Sequence, residues 1–581
     1  MSFKNIYYNR KQNQIHLWHT VKGEKMYDVY DWIPYVYVKT DKKTSIKSIY
    51  GHNVIRKKFK NYFEYKKFQE DNDCEENKVI PEIQFLTERY HKIPDEELEV
   101  PNLKIYSLDI ETYSFEFPNP KTAPDPIVLI SLYDMETDKV YVFGSKQYTD
   151  TELDEDVTYY HYTDEKELLN EFCNFIHDNP PDVITGWNII PSNKLNVSGF
   201  DMGYVVNRIK NLFGSDTNVY KKLSPINVAT TREDNDRNVH VDIAGISLID
   251  YLAAYKWYSR NKPESYSLEY ICNLELNTGK LEYDGSLHEL YENDFNKMVD
   301  YNIIDTKRVK QLEDKLSFIK LIQSLSMITK TPMKYFQTMT SVIEGLMLTY
   351  YRRNRLCAPI MKKYDKEDYP AGHQKQPIKG LHKWLFSIDI SSSYPTAIIT
   401  CNQSLETYIG KIVTFTEEDV VRYTSKREFP EFEMIDYYTK ERKYFKDDKL
   451  KKFNLMLKKG LICVTPAGVC FKTKPEGVIS KVERNLYEQK ESTGKQMKQT
   501  EDKDEKNRLK TRRNSIKTLL NSFYGILAHP YNNRYVNVHI AEGITACGRH
   551  AVKQGEKYIN EIMNHPTDDL YSIINEIKGI E

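Results

Sequence analysis

Four carboxylates in three separated stretches have the residue types and spacing for phosphodiester chemistry. In LKIYSLDIE (103–111), Asp109 and Glu111 stand two apart in an apolar alternation, so a strand would present both on one face. Asp201 follows Phe200 at the opening of a helix-patterned run, MGYVVNRIKNLF. In DYNIIDTKRV (300–309), Asp305 comes four residues after Tyr301, on the same face of a helix. Such a set suits a two-metal phosphodiesterase, in which two Mg²⁺ ions, replaceable by Mn²⁺, steady the attacking and leaving oxygens. Tyr301 would orient the attacking water. Each acid alone reads as a solvated surface group; the four together, in this order, argue for a site.

A second constellation centres on SIDISSSYPTAII (387–399). Leu385, Phe386, Ile388 and Ile390 predict a buried strand that carries Asp389 to its end. Ser391, Ser392 and Ser393 then lead to Tyr394-Pro395, where proline stops sheet pairing and predicts a turn. A carboxylate at a strand end with serine-rich turn N–H groups beside it suits a cation and a triphosphate; an edge strand with a solvated aspartate is the alternative. Farther on, Lys517, Asn521 and Tyr524 stand at i, i+4 and i+7 in KTLLNSFYG, with Gly525 allowing close approach. Between Lys506 and Lys517 lie six Lys/Arg and no acid, which also describes a solvated face.

The elements that must hold these residues are mixed. Length, 581 residues, is enough for about four domains. The first hundred residues alternate short apolar and aromatic runs with turns, a small β-rich domain. Within it Lys57-Lys58-Phe59-Lys60-Asn61-Tyr62 interleaves basic and aromatic residues, as a nucleic-acid stacking surface or a solvated strand face would. Residues 226–243 read as a hairpin with a polar tip at Glu233–Arg237, residues 417–460 as a charged insertion, and 478–527 as an antiparallel helix pair with a charged tip near 500–505. Net charge is −1, so a nucleic-acid surface must be local. The eight cysteines are scattered without metal-ligand spacing, and no stretch has signal-peptide character or membrane-spanning length, so the expectation is a cytoplasmic protein without a membrane partner.

The order DIE, then WN…FD, then YNIID resembles the proofreading 3′→5′ exonuclease of family B DNA polymerases; TGWN, SLIDYL and GKLEYDG resemble the T-even bacteriophage replicative type. The resemblance implies an RNase H-like exonuclease domain, a palm sheet with helical fingers, and the small β-rich N-terminal domain, an α/β and α+β multidomain fold. Its expected boundaries are 1–100, exonuclease 101–335, connecting helices 336–378, first palm part 379–470, fingers 471–530 and palm continuation 531–581.

By the same resemblance Asp109, Glu111, Asp201 and Asp305 hold the exonuclease metals and Asn188 contacts DNA. One departure is a longer separation, residues 189–199, between Asn188 and Phe200. The hairpin would help to move a primer strand between sites. Asp389 would hold a catalytic metal, Ser391–Ser393 lie near the triphosphate, and Tyr394 exclude a ribose 2′-hydroxyl. The usual bulky apolar residue before that tyrosine is Ser393 here. Lys517 and Asn521 would meet the nucleotide, Tyr524 the templating pair, and Lys490 replaces a phosphate-binding arginine.

The implied partners are a DNA primer–template and dNTPs, in an infected bacterial cell. The resemblance also implies a later strand with an Asp-Thr-Asp turn and a thumb, neither of which follows in this sequence. The expectation is a second polypeptide that supplies them; a truncated chain is the other reading. A sliding clamp, and RNA through the N-terminal domain, are further partner readings. A free-standing exonuclease with an inactive palm and an RNA-binding regulator are the alternative functions.

Overall fold

The computed structural model describes residues 2–564 except 96, 99, 150–155, 235–237, 260, 279–286, 377 and 382–388. The chain divides into two compact units, Met1–Tyr35 with Lys58–Phe68 and Val79–Thr349, and Val36–Lys57 with Gln69–Lys78 and Tyr350–Glu581. The first hundred residues therefore contribute to both.

In the first unit, strands Ser2–Asn9, Gln14–Val21 and Glu24–Asp31 form an antiparallel sheet. Its apolar face (Phe3, Ile6, Tyr8, Ile15, Leu17) closes on Phe85, Leu86 and Tyr90 of helix Pro81–Tyr90. The basic-aromatic run turns its rings inward instead of offering them for stacking. Phe59 is buried against Tyr65 and Phe68, and Tyr62 meets Tyr8 edge-on at 5.7 Å. Burial of large rings outweighs their exposure as a platform.

The main sheet has six strands, in the order Asp156–His161, Lys139–Gly144, Ile127–Asp134, Ile105–Thr112, Val183–Gly186, Ser247–Asp250. The three middle-to-edge pairings on one side of Ile105–Thr112 are antiparallel, antiparallel and parallel; the two on the other side are parallel. Helices cover both faces. Tyr106, Leu108 and Ile110 pack with Leu168, Phe172, Met202 and Val205 from helices Glu165–Asp178 and Asp201–Phe213. Val128, Tyr133, Val140 and Val142 pack with Met298, Val299 and Ile303 of helix Phe295–Leu316. Each such side chain contributes about 1.5–3 kcal/mol on burial, which locks which face of strand Ile105–Thr112 points where. The expected hairpin is present as strands Ala229–Glu233 and Val239–Ile243; part of its tip lies outside the described residues.

The second unit holds a five-stranded antiparallel sheet, ordered Arg442–Phe445, Phe432–Ile435, Tyr408–Ile412, Val469–Lys472, Ile462–Val464. Residues 417–460, expected as a charged insertion, build two of these strands and two helices around Phe429, Phe432, Phe453 and Leu457. Their charges lie on the outer faces of amphipathic elements. Helices Val478–Gln499 and Lys503–Ala528 form the expected pair, and helix Val538–Asn564 follows. Among the described residues no helix is long and apolar enough to cross a membrane.

The stretch around Asp389 differs from expectation. Leu385, Phe386 and Ile388 lie outside the described residues; Asp389 and Ile390 are exposed and belong to no strand. Pro395 does not end a strand in an open turn but sits in the first turn of helix Ser393–Thr400. There its missing N–H would have had no intrahelical partner, so proline is tolerated.

Candidate active site: a carboxylate cluster and a tyrosine pair

Because Tyr106, Leu108 and Ile110 face the helices of one layer, Asp109 and Glu111 face the other, toward helix Phe295–Leu316. Asp109 Oδ2 accepts a 2.6 Å hydrogen bond from Asn302 Nδ2 on that helix. Asp305, one turn on, and Tyr301 are both half-buried there, and Asp305 accepts from Arg308 at 3.1 Å. Asp201, at the first turn of its helix, accepts from the Ile110 N–H at 3.2 Å, which ties that helix to the strand between the two acidic positions.

The electrostatics show that the four acids share one environment. Burial, then repulsion from Asp201, Glu111 and Asp305, pushes the Asp109 carboxyl well above its ordinary range. Burial, then Asp305 and Asp201, raises Glu111 to about 8. Burial raises Asp201 to about 8 against the opposing pull of backbone N–H donors. Like charges out of water disfavour one another's ionisation, and a divalent cation would relieve that strain. The donors are all carboxylate oxygens, which suits Mg²⁺ or Mn²⁺ better than a thiolate- or imidazole-seeking metal. The donor chemistry of the four therefore suits such an ion; among the described residues no three His, Cys, Asp or Glu side chains close to metal-holding distances.

Local geometry explains how the sequence places Asp201 despite the long separation after Asn188. Strand Val183–Gly186 passes so near its neighbour that a Cβ on Gly186 would lie 2.4 Å from the Leu108 carbonyl oxygen, so only glycine fits. Asn188 then takes φ 67°. Its carbonyl accepts from Phe200 N at 2.6 Å, and its side-chain oxygen accepts from Gly199 N at 3.0 Å. Residues 189–199 are thus looped out from a closed neck. Asp250 supports that neck: it caps helix Tyr251–Tyr258 through the Ala253 N–H and accepts from Ile190 N at 3.2 Å.

Sequence reading missed two of these residues. Asn302 lies next to Tyr301, outside the face defined by Tyr301 and Asp305 at i and i+4, yet it stands at i−3 from Asp305, which is also a same-face spacing. Asp250 was legible as an N-cap, an aspartate immediately before the apolar helical run YLAAY.

The second constellation converges in part. Lys490, buried in its helix, donates from Nζ to Ser392 Oγ at 2.9 Å, and Ser392 takes a left-handed backbone, φ 53°. Tyr394 and Tyr524 approach with ring centroids 4.8 Å apart, and Tyr524 shares a 2.8 Å hydrogen bond with Tyr369. Gly548 lies under the Tyr394 ring, where a Cβ would come within 3.1 Å. Lys517, Asn521 and Gly525 are exposed along one stripe of helix Lys503–Ala528, whose opposite side buries Ile516, Leu520 and Phe523. Ser391 is exposed, and Ser393 begins the helix that bears Tyr394. The structure does not gather other acids to Asp389: among the described residues no group of three or more His, Cys, Asp or Glu side chains surrounds it.

Comparison with known proteins bears on the family of the chain. A family model described as DNA polymerase family B, exonuclease domain, matches residues 50–271, and one described as DNA polymerase family B matches 330–577. Tyr301 and Asp305 fall between the two matches. The DNA-directed DNA polymerase of Escherichia phage RB69 is 32% identical over 354 residues, covering 56% of this chain and 38% of the relative. That of Enterobacteria phage T4 is 26% identical over 436 residues, 69% of this chain and 47% of the relative. A DNA polymerase of Pyrococcus glycovorans is 26% identical over 504 residues, 82% and 54% respectively. The chain thus spans about half the length of the curated relatives it matches. With both halves of the sequence matching models of one family, the chain belongs to the family B DNA polymerases.

Proposed function

We propose that this chain carries the 3′→5′ proofreading exonuclease and the nucleotide-binding face of a phage DNA-directed DNA polymerase, at work on DNA and dNTPs in the cytoplasm of an infected bacterial cell. The observation that carries the exonuclease reading is the shared buried environment of Asp109, Glu111, Asp201 and Asp305. Asp109, Glu111, Asp201 and Asp305 would hold two Mg²⁺ ions. When bound, such a pair supplies an activated water and charge neutralisation at the leaving oxygen. Tyr301, one turn before Asp305, orients the water; Asn188, at the neck of its loop, lies on the path of the single strand. In the other unit Lys490 and Lys517 neutralise the triphosphate, Ser392 orients the Lys490 ammonium, and Tyr394 and Tyr524 shape the space for sugar and base.

For synthesis, Asp389 would be one of the carboxylates that hold the catalytic metal ions.

The test uses the purified chain. With Mg²⁺ it is expected to shorten single-stranded DNA from the 3′ end, and the Asp109→Ala/Glu111→Ala double variant to lose that rate by orders of magnitude. Full activity in the double variant overturns the exonuclease assignment.

A further inference from the structure

Asn302 is fully buried in helix Phe295–Leu316, a polar side chain facing the acid cluster from within a helix otherwise packed through Met298, Val299 and Ile303. Its Nδ2 makes the 2.6 Å bond to Asp109 Oδ2, a short contact. The same side chain also pulls against the burial that raises the Glu111 carboxyl. Its carbonyl oxygen is buried and has no partner among the described residues. A buried amide left half-satisfied is costly and requires an explanation in a native site.

We propose that Asn302 is a positioning residue for the exonuclease metals: its amide N–H holds Asp109 in place, and its carbonyl oxygen accepts from a water held in the cluster. The proposal rests on the exonuclease reading above. The geometry favours it over a purely structural role for two reasons. The donor reaches Asp109, one of the two acids that strand alternation places on one face, and a helix-to-sheet contact made only for packing would be met by an apolar side chain at no desolvation cost. Removing a group that orients metal-holding carboxylates characteristically lowers metal affinity 10- to 100-fold, as outer partners of metal ligands do. Asn302 touches the ligands and not the scissile phosphate, so its loss should act on metal binding more than on the rate with metal bound.

The experiment compares the full chain with Asn302→Leu, close in volume but unable to donate, and with Asn302→Ala, which keeps the test open should leucine prevent folding. Mn²⁺ binding is read directly by electron paramagnetic resonance without DNA, and nuclease rates are read against Mg²⁺ concentration. Both variants are expected to bind Mn²⁺ about tenfold more weakly, to need correspondingly more Mg²⁺ for half-maximal rate, and to recover most of the wild-type rate at saturating Mg²⁺. Unchanged Mn²⁺ affinity, or a rate loss that added metal does not restore, overturns the role of Asn302. Asp109→Ala/Glu111→Ala is the separate control. If that double variant retains Mn²⁺ binding and nuclease activity, the exonuclease reading itself fails. If it loses both while the Asn302 variants bind Mn²⁺ normally, only the present proposal falls.

Discussion

The ammonium of Lys490 lies 2.9 Å from Ser392 Oγ, which joins the first helix of the 478–528 pair to the serine turn that follows Asp389. The two residues are far apart in sequence, and the lysine is buried, so its charge is held at a fixed point beside the turn. Lys490→Met keeps the apolar stem and removes the charge. One charge-assisted contact contributes about 1.5–3 kcal/mol, so dATP·Mg²⁺ binding by equilibrium titration should weaken roughly tenfold or more. Ser392→Ala removes only a neutral partner of the ammonium and should weaken binding less. Equal affinity of Lys490→Met and the parent chain would place the triphosphate elsewhere.

The Tyr394 ring packs against Tyr524 and against Gly548. Such a fixed ring can reject a 2′-hydroxyl by lack of room. Tyr394→Val should raise the ribo-to-deoxy ratio of kcat/KM roughly tenfold or more in a polymerase that contains this chain, the scale of discrimination that small volume changes give. Gly548→Ala should lower deoxynucleotide kcat/KM, because its new methyl group presses on the same ring. An unaltered ratio in Tyr394→Val means that another side chain guards the sugar.

Stability of the first unit should depend jointly on pH and metal. Glu111 and Asp201 have folded pKa values of about 8, raised from ordinary carboxylate values. A raised pKa means the folded state holds the proton more tightly than the unfolded chain. This contribution is full below the ordinary carboxylate pKa and is lost as pH rises through about 8. Without metal, the melting temperature should therefore fall across that window. Mg²⁺ competes with the protons, so the gap between Mg²⁺ and chelator melting curves should widen as pH rises, by an amount on the order of a few kcal/mol. A gap that stays constant with pH would show that these acids do not bind the ion.

Asn188 closes the neck of the 189–199 loop with both its backbone and its side chain, at φ 67°. Asn188→Ala puts a side chain without that hydrogen bond into a left-handed backbone, and urea unfolding should show a loss of about 1–2 kcal/mol. Asn188→Gly removes the hydrogen bond but accepts the backbone, so its loss should be smaller. Nuclease rate should fall with Asn188→Ala in parallel, since Asp201 begins the helix just beyond the neck. Glycine more damaging than alanine would contradict the strain account.

What the sequence alone determined was local and periodic. Alternation in LKIYSLDIE put Asp109 and Glu111 on one face, helical spacing put Tyr301 with Asp305 and aligned Lys517 with Asn521, and the 478–528 helix pair and the 226–243 hairpin were legible from patterning and polar tips. These features follow from residue spacing in a single element. The tertiary structure decided what depends on meetings between elements. It brought Asn302 to Asp109, Asp250 to the neck of the loop, Lys490 to Ser392 and Tyr394 to Tyr524. It also turned Phe59 and Tyr62 inward and made a folded layer of the charged 417–460 stretch. No spacing rule encodes such contacts, because each is set by which apolar faces find one another and by where the remaining polar groups are then left.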